Sequence, residues 1–188
     1  MGLGLSSGIT ELVEYDPEWE KIATNTIEKL WNIFKSTAKD IQHIGSTAIK
    51  NIKAKPIIDI AVAVDDFSKF ELLIPELECK GFSYHGWFIP ERITVLNVYK
   101  KLKPNYKVCT HHIHIVIVDS KEWNEHLNFR NYLNKHPAIA KTYEALKIRL
   151  AIEHPVDVGR EKYNEGKKGF IRQIQKDAAV WACQPKEI

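Results

Sequence analysis

Between Trp19 and Phe34 the apolar positions return every three or four residues: Trp19, Ile22, Ala23, Ile27, Leu30, Trp31 and Phe34, with Thr26 on the same stripe. That rhythm predicts one long amphipathic helix whose stripe covers a sheet. Asp16-Pro17 just ahead of it supplies an N-cap and a first-turn proline. Ile41–Ile44 is short and apolar enough for a strand, and Gly45-Ser46-Thr47-Ala48-Ile49 turns out of it. After the basic linker 50–55, Ile57–Val64 is apolar throughout except for Asp59, the pattern of a central strand buried on both faces. Asp65-Asp66 caps a helix over about 67–80, which Pro75 should kink or split and Gly81 should stop.

Phe82–Trp87 and Ile93–Tyr99 read as strands, with Lys100–Lys107 as a basic turn. In Thr110–Val118, Ile113, Ile115 and Ile117 alternate with His112, His114 and Val116, so this is another strand. From there on the period is helical. Ser120 caps a helix carrying Trp123, Leu127, Arg130 and Leu133, and His136-Pro137 breaks it. A second helix carries Ala140, Tyr143, Leu146, Lys147, Leu150 and Ala151 and stops at His154-Pro155. A third runs from about Gly159 through Tyr163, Lys167, Phe170, Ile171, Ile174 and Ala178. Residues 1–10 read as frayed, and so does the tail from Cys183. The order predicts an α+β fold: a mixed or antiparallel sheet over about 11–118, an N-terminal helix packed on it, and three C-terminal helices over about 120–182.

Composition narrows the class. The chain of 188 residues is long enough for one domain with a full core. A net charge of +3 with no lysine or arginine block gives no reason to expect a nucleic-acid partner. Cys79, Cys109 and Cys183 are too scattered for a disulfide framework or a structural zinc site, so reduced thiols and a cytoplasmic location are expected. The first residues lack the features of a signal peptide, and no apolar run reaches membrane length.

The candidate chemistry sits around the first two strands. Gly45 lets a ligand or another backbone come close, and Ser46 and the N–H groups after the turn can hold an anion. Asp59 follows on the next strand, where a carboxylate is costly unless paired, hydrogen-bonded or bound to metal. A structural aspartate bonded to nearby N–H groups accounts for it equally well. His112 and His114 share one face of their strand and could join Asp59 as two nitrogens and one carboxylate, a set suited to Mn²⁺, Fe²⁺ or Zn²⁺. Bonding to neighbours, or to a substrate phosphate, is the other use for such histidines. Lys55 could neutralise a phosphate or remain a solvated linker lysine. Tyr163 and Lys167 share a helix face and could clamp a nucleotide, the ring on the base and the ammonium on phosphate. Lys147 reads as solvated.

Several segments together carry a resemblance to one family. His43-Ile44-Gly45-Ser46-Thr47, Lys55-Pro56-Ile57-Ile58-Asp59, Thr110-His111-His112-Ile113-His114, Phe129–Leu133 with His136-Pro137, and Tyr163 with Glu165-Gly166-Lys167 resemble the GrpB family. The resemblance runs from Val13 to about Gln173 in the same order. It implies a nucleotidyltransferase-like fold. Related domains occur fused to dephospho-CoA kinases, where a folding-accessory role has been proposed. In the nucleotidyltransferase pattern Gly45, Ser46 and Thr47 would cradle phosphates, Asp59 would hold a divalent metal (Mg²⁺ or Mn²⁺), and Lys55, Arg130, Tyr163 and Lys167 would contact the nucleotide. The chain departs from that pattern where Ala61 replaces the second carboxylate and His112 and His114 stand in place of the third. Arg92 lies where the family has a more arginine-rich segment. The resemblance thus implies a nucleotide-binding protein, either a metal-dependent nucleotidyltransferase acting on a small acceptor or a non-catalytic or folding-accessory relative that has lost the metal carboxylates. Its partner would be a nucleotide or another phosphorylated small molecule.

Overall fold

The computed structural model describes residues 2–84, 87–89, 92–103, 106–157 and 160–184, and between 87 and 107 it describes the backbone alone. The elements are α1 (Glu18–Phe34), β1 (Ala38–Ile44), β2 (Ile58–Val64), α2 (Ser68–Glu71), α3 (Ile74–Cys79), β3 (Phe82–Ser83), β4 (Trp87–Ile89), β5 (Arg92–Lys103), β6 (Tyr106–Ile117), α4 (Lys121–Lys135), α5 (Pro137–Glu153) and α6 (Glu161–Ala182). The strand order is β1-β2-β6-β5-β3, with β4 also paired to β5. β2 and β6 run parallel and the other neighbours are antiparallel, so the sheet is mixed. The fold is α+β, as the alternation of periods implied.

One face of the sheet is packed by α1. Trp19, Ala23, Leu30, Ile33 and Phe34 meet Ile58, Ile60, Val62, Val64, Ile113 and Ile115, with Phe70 and Leu77 from α2 and α3 closing one end. Ile33 takes the core place that the spacing assigned to Trp31, which lies at the exposed margin of α1. The Asp16 carboxylate accepts from the Glu18 N–H at 3.0 Å and caps the first turn. The predicted helix over 67–80 is split in two ahead of Pro75, whose ring cannot continue a helical hydrogen-bond ladder. On the opposite face α4 packs Trp123 and Leu127 against Ile44, Ala61, Ala63 and Val116. The Ser120 hydroxyl accepts from the Trp123 N–H at 3.2 Å and starts that helix as expected.

α5 and α6 do not lie flat on the sheet. Tyr143, Ala140 and Ile174 instead bury Ile49 and Ile52 of the loop between β1 and β2. Polar side chains of α4 and α5 then pin that loop. Asn134 accepts from the Lys50 N–H and donates to Ala48 O; Lys141 Nζ donates to Asn51 O; Glu144 accepts from the Lys53 N–H; Lys147 Nζ donates to Lys53 O.

Three expectations are corrected. Residues 2–10 are held rather than frayed: Leu5 and Cys109 exchange backbone bonds at 3.0 Å, and Arg160 donates to Ser6 O and Ile9 O. Leu5 and Thr10 are buried. Gly4, at φ +109, passes so close to β6 that a Cβ there would lie 2.5 Å from Val108 Cγ2. The stretch read as a basic turn is mostly strand, since β5 runs to Lys103 and β6 starts at Tyr106. Lysine's long stem accommodates an extended backbone as readily as a loop, so composition misled there. Lys147 is not solvated; it is 1% exposed. His85, Gly86, Pro104, Asn105, Gly159 and residues 185–188 lie outside the described residues, and with them parts of the predicted strand, turn, helix start and tail.

Candidate active site

Register builds the site. β2 and β6 run parallel with Asp59 opposite His112 and Ala61 opposite His114, so these side chains leave the same face. His112 Nδ1 donates to Asp59 Oδ1 at 3.1 Å. The Ala61 methyl takes little room, and His114 Nε2 comes back diagonally to within 3.5 Å of the same oxygen. Burial works against the Asp59 carboxylate, but the two imidazole hydrogen bonds more than offset it and hold the group well below the usual range. Burial also works against the His112 imidazolium; the hydrogen bond and charge of Asp59 outweigh it and push His112 up to about 9. At neutral pH the two form an ion pair.

The other side of Asp59 is covered by Gly45. Its φ of +70 and the 2.3 Å that would separate an added Cβ from Asp59 Oδ2 require glycine twice over. The close approach anticipated at this residue is therefore made by the protein's own carboxylate. Ser46 is partly exposed, with its hydroxyl 3.4 Å from the Tyr143 hydroxyl. Thr47 points inward and bonds His43 Nε2 at 3.0 Å and Ile57 O at 3.4 Å. His43 lies on the α1 side of β1, opposite Ile60, and burial lowers it to about 4.

Beyond the turn stands a group of cations. Lys55 Nζ and Lys167 Nζ lie over the Tyr163 ring at 4.7 and 4.5 Å from its centroid. Lys147 Nζ lies over Tyr143 at 4.8 Å. Burial, then the neighbouring Lys167 and Arg160, lower Lys55 to about 7. Burial likewise lowers Lys147 to about 7 and Lys167 to about 8. Among the described residues Lys55 and Lys167 make no hydrogen bond or contact ion pair, and the Asp59 carboxylate raises both only in part. Tyr163 is 1% exposed and covered by these ammoniums, so it offers no open face for a base. Arg130 is spent elsewhere: Nη1 donates to Gln42 Oε1 and His43 O, and Nε to Asn131 Oδ1, tying α4 to β1.

The predicted residues thus fall into three sets. Asp59, His112, His114 and Gly45 form one constellation. Lys55, Tyr163 and Lys167 form a second, on the side of the turn where Ser46 meets Tyr143. Thr47 and Arg130 serve the scaffold. Sequence reasoning passed over His126 of α4, whose ring centroid is 5.5 Å from that of His114 and whose Nε2 lies 3.6 Å from Glu122. Its place three residues after Trp123, on the stripe that faces the sheet, was the available signal. Lys147 carried the same kind of signal, four residues after Tyr143 on the buried stripe of α5.

These residues do not fit a pair of Mg²⁺ ions. Mg²⁺ takes oxygen ligands in a tight octahedron, whereas this site offers one carboxylate with one oxygen bonded by imidazoles and the other packed on glycine. Among the described residues no group of three or more His, Cys, Asp or Glu side chains has the spacing of a metal site.

The sequence profile of the GrpB protein family matches residues 10–177. The chain belongs to the GrpB family. The glutamate-rich protein GrpB of Alkalihalophilus pseudofirmus is 36% identical over 92% of this chain and 97% of its own length. The UPF0157 protein YqkA of Bacillus subtilis is 32% identical over 91% of this chain, which spans only 48% of that protein. The crystal structure of GrpB from Enterococcus faecalis superposes with a TM-score of 0.80 at 38% identity, covering 93% of this chain and all of that one. A crystal structure of Cid1 poly(U) polymerase bound to MgATP reaches a TM-score of 0.52 at 13% identity, over 74% of this chain and 44% of that one. That likeness is one of fold, and it makes the fold of this chain nucleotidyltransferase-like. Among the described residues no helix is long and apolar enough to cross a membrane.

Proposed function

We propose that the protein binds a nucleoside triphosphate, or another phosphorylated nucleotide, between the Gly45–Ser46 turn and the Lys55–Tyr163–Lys167 group. One observation carries this reading: two ammoniums sit over one buried tyrosine, and neither makes a hydrogen bond or contact ion pair with an anion among the described residues. Partly buried charge of one sign is costly, and the lowered lysine pKa values express that cost. A phosphate relieves it. The charge of Asp59, which is hydrogen-bonded to His112, acts on both lysines in the same sense but leaves them lowered. The three free thiols agree with a reducing compartment such as the cytoplasm.

Ala61 and the two histidines, standing where metal carboxylates would be needed, favour binding without nucleotidyl transfer. The second reading is a transferase that acts on a small acceptor, with Asp59, His112 and His114 at its centre and any metal brought in with the nucleotide. It is favoured by the fold and by the Asp59 carboxylate, the one polar side chain of β2, meeting two histidines of β6.

Thermal melting with ATP and CTP, with and without Mg²⁺ or Mn²⁺, separates the two. Binding at a hundred times Kd adds roughly 2.7 kcal/mol of stability, a shift of several degrees. A shift without metal supports the binding reading. A shift that requires metal and vanishes in Asp59→Ala puts the transferase ahead. No shift under any condition sinks both.

A further inference from the structure

We infer, resting on the nucleotide-binding reading above, that this site selects its ligand by the phosphate chain alone. In this view Lys55 and Lys167 supply the positive charge that a metal pair would otherwise bring, and the minimal ligand is a bare inorganic tripolyphosphate. Three observations lead there. The carboxylates a metal pair would need are replaced by Ala61 and by His112 and His114, while two ammoniums with no hydrogen bond or contact ion pair among the described residues stand beside the same turn. Three phosphates need positive charge from somewhere, and lysine ammoniums are compact donors that can provide it without metal.

The second observation concerns the base. Nucleobases are read by stacking on open aromatic faces and by hydrogen bonds at their edges. The two tyrosines on this side of the site cannot stack. Tyr163 is buried under Lys55 and Lys167, and Tyr143 is buried with Phe170 stacked on it at 5.6 Å and Lys147 over its ring. The third concerns fit. Gly45 and Asp59 are already in contact, so the turn has no spare cleft beneath it, and an anion must approach from the Ser46 and lysine side.

The test is calorimetric titration of the full chain in EDTA with inorganic tripolyphosphate, ATP, CTP and adenosine. The expected result is that tripolyphosphate and both nucleotides bind within about fivefold of one another and adenosine does not bind. Lys55→Met and Lys167→Met should each weaken tripolyphosphate binding by about tenfold or more, while Lys55→Arg and Lys167→Arg retain it. Melting curves of all four variants establish that they are folded. ATP or CTP binding more than about tenfold tighter than tripolyphosphate overturns the inference and leaves nucleotide binding standing. So does a strict metal requirement. Tripolyphosphate binding that survives the doubly substituted Lys55→Met, Lys167→Met protein also overturns it, because the anion is then held elsewhere. If none of the ligands binds with or without metal, the nucleotide-binding reading falls and this inference with it.

Discussion

His111 and His112 are consecutive on β6 and face opposite sides of one sheet. On the α1 side, the Thr26 hydroxyl donates to Ile22 O and accepts from His111 Nε2, while Thr110 bonds the other ring nitrogen. Both nitrogens are satisfied by a neutral ring, and burial lowers this histidine to about 4. On the other side, His112 meets Asp59 and is pushed up to about 9. The same residue type, one position along, is inert packing on one face and a charged partner on the other. The sheet therefore divides its labour. Among the described residues, the α1 face supplies cohesion, and the face toward α4 holds the Asp59–His112 ion pair.

The division can be broken most forcefully from the cohesive side. Leu30 of α1 is fully buried against the sheet, and Leu30→Ala should cost roughly 2–5 kcal/mol in urea unfolding while phosphate affinity of the folded fraction is unchanged. A loss of affinity matching the loss of stability would mean that the two faces are not independent. Next in size is Asp59→Asn, which leaves His112 without its counter-charge. It should lose about 2 kcal/mol, less than a fully buried pair because the carboxylate keeps some contact with water. A double-mutant cycle with His112→Asn should recover most of that loss, and additive losses would deny the pair.

Lys147→Met tests the smallest effect and its pH dependence. The folded pKa of Lys147 is about 7, below its unfolded value, so between pH 7 and 10 the unfolded chain binds the extra proton. Stability of the native protein should therefore rise with pH through this lysine, by up to about 2 kcal/mol between pH 7 and 9. Lys147→Met should remove that rise and be about 1 kcal/mol more stable at pH 7, where the buried ammonium is most costly. Denaturant midpoints of both proteins at the two pH values decide it, and parallel pH profiles would show that Lys147 keeps its proton in the folded chain.

Much of the scaffold was legible because its signals are local. The α1 stripe, the Ser120 cap, the split ahead of Pro75 and the doubly buried β2 follow from period, capping and ring geometry. The site was legible only in part. Alternation placed His112 and His114 on one face, but the register that sets them beside Asp59 is a long-range fact. Lys147 and Lys55 were read by residue type, and type favours solvent. Their true environment depends on which helix stripe meets the β1–β2 loop. The N-terminal segment misled for a related reason: its order comes from β6 and Arg160, both distant in sequence.

The parallel pairing of β2 with β6 also governs how the molecule is assembled. β1 with β2, and β5 with β6, are each neighbours along the chain and can form as separate ribbons early in folding. Joining them means closing a long loop to align Asp59 with His112, which is the slow, entropically expensive kind of contact. The charged constellation lies on that seam, so it exists only once both ribbons have met. A phosphate ligand present during refolding should then act as a latch on the last step, slowing the parting of the ribbons more than it speeds their formation.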